Sequence, residues 1–244
     1  MCGPVQSIIK YDPKIFLCTP HQFGFLPGRS ALQQLIIYIN SLLEAKQHNK
    51  QMDVVYMDFR KAFDSVSHHK LLIKMRCIGI QGNLLLWFQS YLSSRRQCVR
   101  VGDSHSEFCD VLSGVPQGSI LGPLLFAIYI NDLPDSLQHV TPYIFADDTK
   151  CTIPISTNID STLLQSDLSN LSNWSTTWKL LFNEARIVHV CFWQRTSQDT
   201  FTYYINTNTI DSKSQHKDLG VILTSDLYWT PHYKLIIGQA YKIL

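Results

Sequence analysis

The chain has 244 residues, 45% hydrophobic and 16% charged, with a formal net charge of +2. That is an ordinary globular composition, long enough for one large domain or two small ones, and it places the chain among globular rather than disordered proteins. A charge this small does not by itself announce a nucleic-acid binder; the "SSRRQCVRV" stretch with Arg95, Arg96 and Arg100 reads, taken alone, as a solvated hairpin. Seven cysteines with no C-x-x-C pair argue against a zinc site and against a secreted disulfide framework. The adjacent His68-His69 lacks the spacing that puts two ligands on one helix face. The start, "MCGPVQSIIK", is no signal peptide, and the longest apolar run, Leu124–Ile130, is far too short to span a bilayer. The default is a soluble intracellular protein, with nucleus and cytoplasm both compatible.

In chain order, "SALQQLIIYINSLLEAKQHNK" predicts an amphipathic helix capped by Ser30, with Leu32, Leu35, Ile36, Ile39, Leu42 and Leu43 on its buried face. "MDVVYMDF" follows as a buried strand. "HHKLLIKMRCIG" and "NLLLWFQSYLSS" predict two helices broken at Gly79–Gly82. "QCVRVG" and "SEFCDVL" alternate around a Gly102-Asp103 turn and predict an antiparallel pair. A glycine- and proline-rich loop, "SGVPQGS", then runs into a helix with Pro123 in its first turn. "PYIFADDTKCTI" predicts a hairpin. Leu164, Leu168, Leu171, Trp174 and Trp178 recur at helical spacing as a core face. Short strands at "RIVHVCFW", "FTYYIN" and "KDLGVIL" precede a last helix at "HYKLIIGQAYKIL". Hairpins separated by helices define an α+β class.

The unusual feature is where the carboxylates fall. Asp58 ends one apolar run, "VVYMDFRKAFD", and Asp147-Asp148 interrupt another, "YIFADDTK". A lone Asp-Asp in a hairpin is commonly turn chemistry. Three acidic groups at strand ends, however, would repel one another unless a cation joined them. A hard divalent ion with oxygen ligands meets that need, and two such ions would serve nucleases, phosphatases and polymerases equally well.

The blocks "HQFGFLPGRS", "MDFRKAFDSVSH", "SGVPQGSILGPLLFAIYINDLP", "YIFADDT", "WKLLFNEAR" and "HKDLGVIL" occur in the order seen in reverse transcriptases of non-LTR retrotransposons, which this chain resembles over His21 to Leu244. The resemblance implies a right-handed polymerase palm over residues 51–213, partial fingers over 1–50, and a primer-grip hairpin with the start of a thumb over 214–244. It implies an RNA template, a DNA primer, dNTPs as substrates, no membrane, and two Mg²⁺ ions with Mn²⁺ as an alternative. It assigns Asp58, the Phe59 carbonyl, Asp147 and Asp148 to metal. It places Phe63 under the incoming sugar, where a ring would reject a 2′-hydroxyl; an ordinary core phenylalanine is the competing reading. Arg29, Gln117, Gly118 and Arg186 fall to the nucleotide, and Leu219 and Gly220 to the primer grip, where a plain edge hairpin competes.

The chain departs from that family in positive charge. A basic fingers strand would precede "HQFGF", but the first twenty residues hold only Lys10 and Lys14. Leu26 stands where an arginine is usual, and Arg186 where a lysine is usual. These departures imply weakened triphosphate binding. The chain also stops as a thumb helix begins, and it has no endonuclease or RNase H segment. A viral RNA polymerase, disfavoured by Phe63 and by "FADD", and a catalytically inactive retroelement remnant remain as alternatives.

Overall fold

A computed structural model describes residues 18–194 and 201–242; Lys10 and Lys14 lie outside them. Its centre is an antiparallel arrangement of three strands: β1 (Gln51–Met57), β7 (Asp148–Ile155) and β8 (Val188–Phe192). β6 (Thr141–Phe145) pairs with β7 on one side, and the short β11 (Asp211–Ser212) lies parallel to β8 on the other, giving the order β11-β8-β1-β7-β6. Every residue of β1 is buried, because it is the middle strand and both sheet faces are covered.

The two faces have different covers. Val55 and Met57 point into the larger core, built from α2 (His68–Cys77), α3 (Gly82–Leu92), α4 (Leu121–Ile130) and α5 (Asn158–Trp178). Met52, Val54 and Tyr56 alternate to the other face, against α1 (Ala31–Gln47). On that same face a hairpin of β12 (Gln215–Asp218) and β13 (Val221–Thr224) contributes Leu223 to the core. A final helix, α6, runs Thr230–Ala240, with Tyr233, Ile236 and Ile237 exposed. Among the described residues no helix is long and apolar enough to cross a membrane.

The helices, the main hairpin and the mixed α+β class follow the sequence reading, and three details correct it. Ser30 caps α1 as expected, its side chain accepting from the Gln33 amide. The buried face of α1, however, is Gln34, Leu35, Tyr38, Leu42 and Ala45, while Leu32, Ile36 and Leu43 are exposed. The helix is turned by Tyr38, whose hydroxyl lies 2.6 Å from that of Tyr56 and whose ring packs on Tyr143; a buried tyrosine goes where its hydroxyl finds a partner. The pairing around Gly102-Asp103 splits into two fragments, β2 (Arg96–Gln97) with β5 (Cys109–Asp110) and β3 (Arg100–Val101) with β4 (Ser104–His105), all solvent-exposed. In "FTYYIN" only β9 (Tyr204–Ile205) is extended, paired with β10 (Asn208–Thr209).

Candidate active site

Asp58 follows the last residue of β1. Its carbonyl accepts from the Asn183 amide at 2.7 Å, and Arg60 donates to the Leu181 carbonyl at 2.8 Å, so the segment is pinned to the chain after α5. Phe59 is buried beside it, stacked on Phe182 with ring centroids 4.6 Å apart. The Asp58 carboxylate meets Arg186 at 3.1 Å, with the arginine side chain 73% exposed and the aspartate 25% exposed. A largely solvated guanidinium is a weak and displaceable partner.

Asp147 sits in the tight turn between β6 and β7, and Asp148 opens β7. Ala146 takes the left-handed conformation, φ 56°, that carries the turn. The turn is held from outside by "HQFGF", a role that the sequence reading did not assign. The Gln22 side chain, 1% exposed, accepts from the Ala146 amide at 2.9 Å and from the Gly24 amide at 2.7 Å, and donates to the Ala146 carbonyl at 3.4 Å. Phe23 and Ile144 are joined through backbone bonds in a short parallel bridge around Gln22. A Cβ on Gly24 would lie 2.3 Å from the Ala146 nitrogen, so only glycine permits this contact.

The electrostatics record unbalanced negative charge. Burial, then Asp58, holds the Asp147 carboxyl above the usual range. Burial, followed by Asp147, Asp218 and Asp58, pushes Asp148 up to about 6, with Lys150 opposing. Carboxylates that raise one another's pKa are suited to a cation, and an all-oxygen set suits a hard divalent one. The three groups therefore fit Mg²⁺ or Mn²⁺ in chemistry. They are not gathered into a ready-made ligand set: among the described residues no cluster of three or more His, Cys, Asp or Glu side chains is placed to hold an ion.

The remaining candidates are distributed around these carboxylates. Phe63 is half-buried, stacked on Phe126 at 4.5 Å and edge-on to Phe25 at 6.0 Å. Gln117 donates to the Asp64 carboxylate at 2.8 Å, and Ser113 to the Asp64 carbonyl at 2.8 Å, which fastens the "SGVPQGS" loop to the segment after Asp58. Gly114 belongs to the same clamp. Its φ is +89° and a Cβ there would stand 2.8 Å from Asp64 Cα, so its glycine identity is a packing requirement. Gly118 is exposed, with no atom within 4 Å of where a Cβ would stand. Arg29 is turned inward. One of its terminal nitrogens donates to the carbonyls of Thr19 (3.1 Å), Pro20 (3.0 Å) and Gln22, bracing the segment that carries Gln22. Leu219 and Gly220 form the β12–β13 turn, with φ 46° and 90°.

A cleft of about 390 Å³ opens beside Asp58 and Asp148, with Arg186, Lys213, His216 and Lys217 on its walls. At its edge lie two groups that the sequence reading passed over. Lys150 and Asp218, 3% and 6% exposed, form a buried ion pair between β7 and β12. A lysine inside a predicted strand, "TKCTI", was the available signal, since a lysine that is buried there needs a partner.

Taken by fold, this is a polymerase palm. Telomerase from Candida tropicalis, in a complex with a fragment of telomeric RNA, superimposes with a TM-score of 0.58 at 10% identity, over 86% of this chain and 34% of that one. Apo telomerase from the same organism, truncated from its C-terminal domain, gives 0.55 at 12% identity, over 86% and 40%. Taken by sequence, the chain belongs to the reverse transcriptase (RNA-dependent DNA polymerase) family, whose model matches residues 5–223. Among its relatives are the probable RNA-directed DNA polymerase from transposon BS of Drosophila melanogaster, 32% identical over 91% of this chain, and the RNA-directed DNA polymerase from mobile element jockey of the same fly, 29% identical over 97%. The chain spans about a quarter of the length of these relatives, 25% and 26%. The resemblance to non-LTR retrotransposon enzymes is thus borne out.

Proposed function

We propose that this chain is the RNA-directed DNA polymerase portion of a non-LTR retrotransposon protein, joining dNTPs to a primer 3′-hydroxyl along an RNA template. The observation that carries this reading is the shared electrostatic environment of Asp58, Asp147 and Asp148 at neighbouring strand ends, beside a cleft walled by Arg186, Lys213 and Lys217. In such a reaction the 3′-oxygen bonds to the α-phosphorus, the bond to the bridging oxygen breaks, and pyrophosphate leaves. Asp58, Asp147 and Asp148, with the Phe59 carbonyl beside them, would hold the divalent ions, which when bound polarise the attacking hydroxyl and neutralise the leaving oxygens.

The other residues act by position and charge. Arg186, held to Asp58 only by a largely solvated pair, would be available to contact the triphosphate, supplying positive charge and hydrogen-bond donors. Lys213 and Lys217, on the cleft wall, would meet primer phosphates, and Leu219–Gly220 the primer end. The Phe63 ring, with one side stacked on Phe126, keeps its exposed part for the sugar. Gln117 and Gly118 lie on the loop whose Val115 amide donates to the Phe63 carbonyl. Arg29, engaged with backbone, would serve the nucleotide indirectly by bracing Gln22. Fingers over 1–50, palm over 51–213, and grip with thumb start over 214–244 remain the domain division for this reading, in a nuclear or cytoplasmic protein.

A second reading, an inactive palm that only binds nucleic acid, is favoured by the Arg186–Asp58 pair and by the lack of a ready-made ligand set among the described residues. Primer extension by the purified chain on an RNA template, with Mg²⁺ and with Mn²⁺, separates the two. Extension that Asp147→Asn abolishes, in a variant that melts like the parent, supports the polymerase. Binding of primer–template without extension in either metal assigns the second reading.

A further inference from the structure

We propose that Lys150 and Asp218 are a positioning pair, which fixes the grip turn Leu219–Gly220 relative to the catalytic turn Asp147-Asp148. The inference rests on the polymerase reading above for the roles of the two turns; the coupling itself is read from geometry.

The β12–β13 hairpin is a separate two-stranded sheet and shares no ladder with the five-stranded one. At its base it is tied through backbone, Trp193 to Ser225 at 3.2 Å and Ser225 to Ser214 at 2.8 Å. Toward its turn the attachments are side chains. His216 and Asp218, two apart on β12, face the sheet together. His216 stacks on Tyr56 with ring centroids 4.0 Å apart. Asp218 pairs with Lys150. Tyr56 and Lys150 are themselves directly opposed across β1 and β7.

Each anchor thus stands two residues from a catalytic carboxylate: Tyr56 before Asp58, and Lys150 after Asp148. Asp218 immediately precedes the turn Leu219–Gly220. The ammonium of Lys150 also lies 4.4 Å from the centre of the Tyr38 ring, and Tyr38 meets the Tyr56 hydroxyl, so α1 closes the arrangement from above. A wrong register of the hairpin would leave Asp218 buried without its partner.

Stability alone does not call for this pair. Buried ion pairs commonly can be replaced by apolar side chains without loss of stability, whereas a charged pair admits few geometries and so specifies one. The lysine spans the gap between the strand that presents Asp148 and the strand that presents the grip turn. Fixing that gap fixes where a primer end held at Leu219–Gly220 stands relative to the carboxylates, and a small displacement there is costly for reaction.

The test uses the whole chain and three variants: Lys150→Met/Asp218→Leu, which removes both charges together; Lys150→Asp/Asp218→Lys, which swaps them; and Asp218→Asn, which keeps shape and loses charge. Melting temperature, hydrogen exchange across Gln215–Thr224, and separate KM values for primer and dNTP are measured. In the apolar double variant we expect melting within a few degrees of the parent, hairpin exchange and primer KM each raised about tenfold, and dNTP KM unchanged. Asp218→Asn, which leaves the buried Lys150 ammonium without its counter-charge, should move both quantities in the same direction by at least as much and lower the melting temperature, and the swapped pair should recover part of the loss. A folded apolar variant with parental exchange and parental primer KM overturns the proposal. Should the parent extend no primer, the polymerase reading fails, and hydrogen exchange alone decides the coupling: unchanged protection overturns it, and lost protection upholds it.

Discussion

Asp148→Asn should make the ion-free protein more stable and its response to divalent ions weaker. Burial, Asp147, Asp218 and Asp58 raise the Asp148 carboxyl from 3.8 to about 6. For a fully shielded group such a shift would cost the folded state about 3 kcal/mol at neutral pH. Asp148 is more than a third exposed, and solvent screening reduces the figure to about 1 kcal/mol. In a chain of this size that is a rise of about 2–4 °C in Tm for the asparagine variant. The sign follows from proton linkage: below the unfolded-state pKa both states hold the proton and nothing is lost. As pH rises toward 6 the unfolded carboxyl releases its proton first, so the folded parent loses relative stability, fully so above 6. The advantage of Asp148→Asn should therefore be absent near pH 4, grow between 4 and 6, and hold at pH 8. Mn²⁺ should raise the parent's Tm at pH 8 by more than the variant's, and by less as pH falls through 6. Calorimetry at pH 4 and pH 8, with and without Mn²⁺, checks this. A variant no more stable than the parent at pH 8, or equally favoured at both pH values, would refute the charge-crowding argument.

Phe63→Val should raise rNTP incorporation relative to dNTP in an active enzyme; an unchanged ratio would assign the ring to its Phe126 stack alone. Gly114→Ala places a Cβ 2.8 Å from Asp64 Cα at φ +89°, and should lower stability by about 2–3 kcal/mol in urea titrations. Leu26→Arg, at the half-buried position after Phe25, should lower dNTP KM by about one decade with a smaller change in kcat, as restored ground-state binding requires; steady-state kinetics on an RNA template reads it directly.

What could be read from the sequence was what short-range pattern encodes. β1 stood out because a middle strand covered on both faces is largely apolar, and Asp58 and Asp147-Asp148 were conspicuous because they follow such runs, Val54–Met57 and Tyr143–Phe145. Contacts that cross the chain left no such trace. The polar member of the α1 core, Tyr38, is buried because Tyr56 offers it a hydroxyl, and nothing within α1 indicates that; reading leucines and isoleucines alone turned the helix face away from its true contact. Arg29 illustrates the same limit in the functional assignment. Resemblance places an arginine near the nucleotide, but the fold brings the carbonyls of Thr19, Pro20 and Gln22 to its guanidinium, so its charge is used on backbone before any ligand arrives. Lys150 gives the converse case. Within β7 it is a charge at a buried position, and only the approach of β12, 68 residues later, supplies the carboxylate that explains it. A charge at a buried strand position is therefore better read as a request for a distant partner than as noise. Here the partner is found beside the Leu219–Gly220 turn, and the pair joins two segments that the sequence presents as separate motifs.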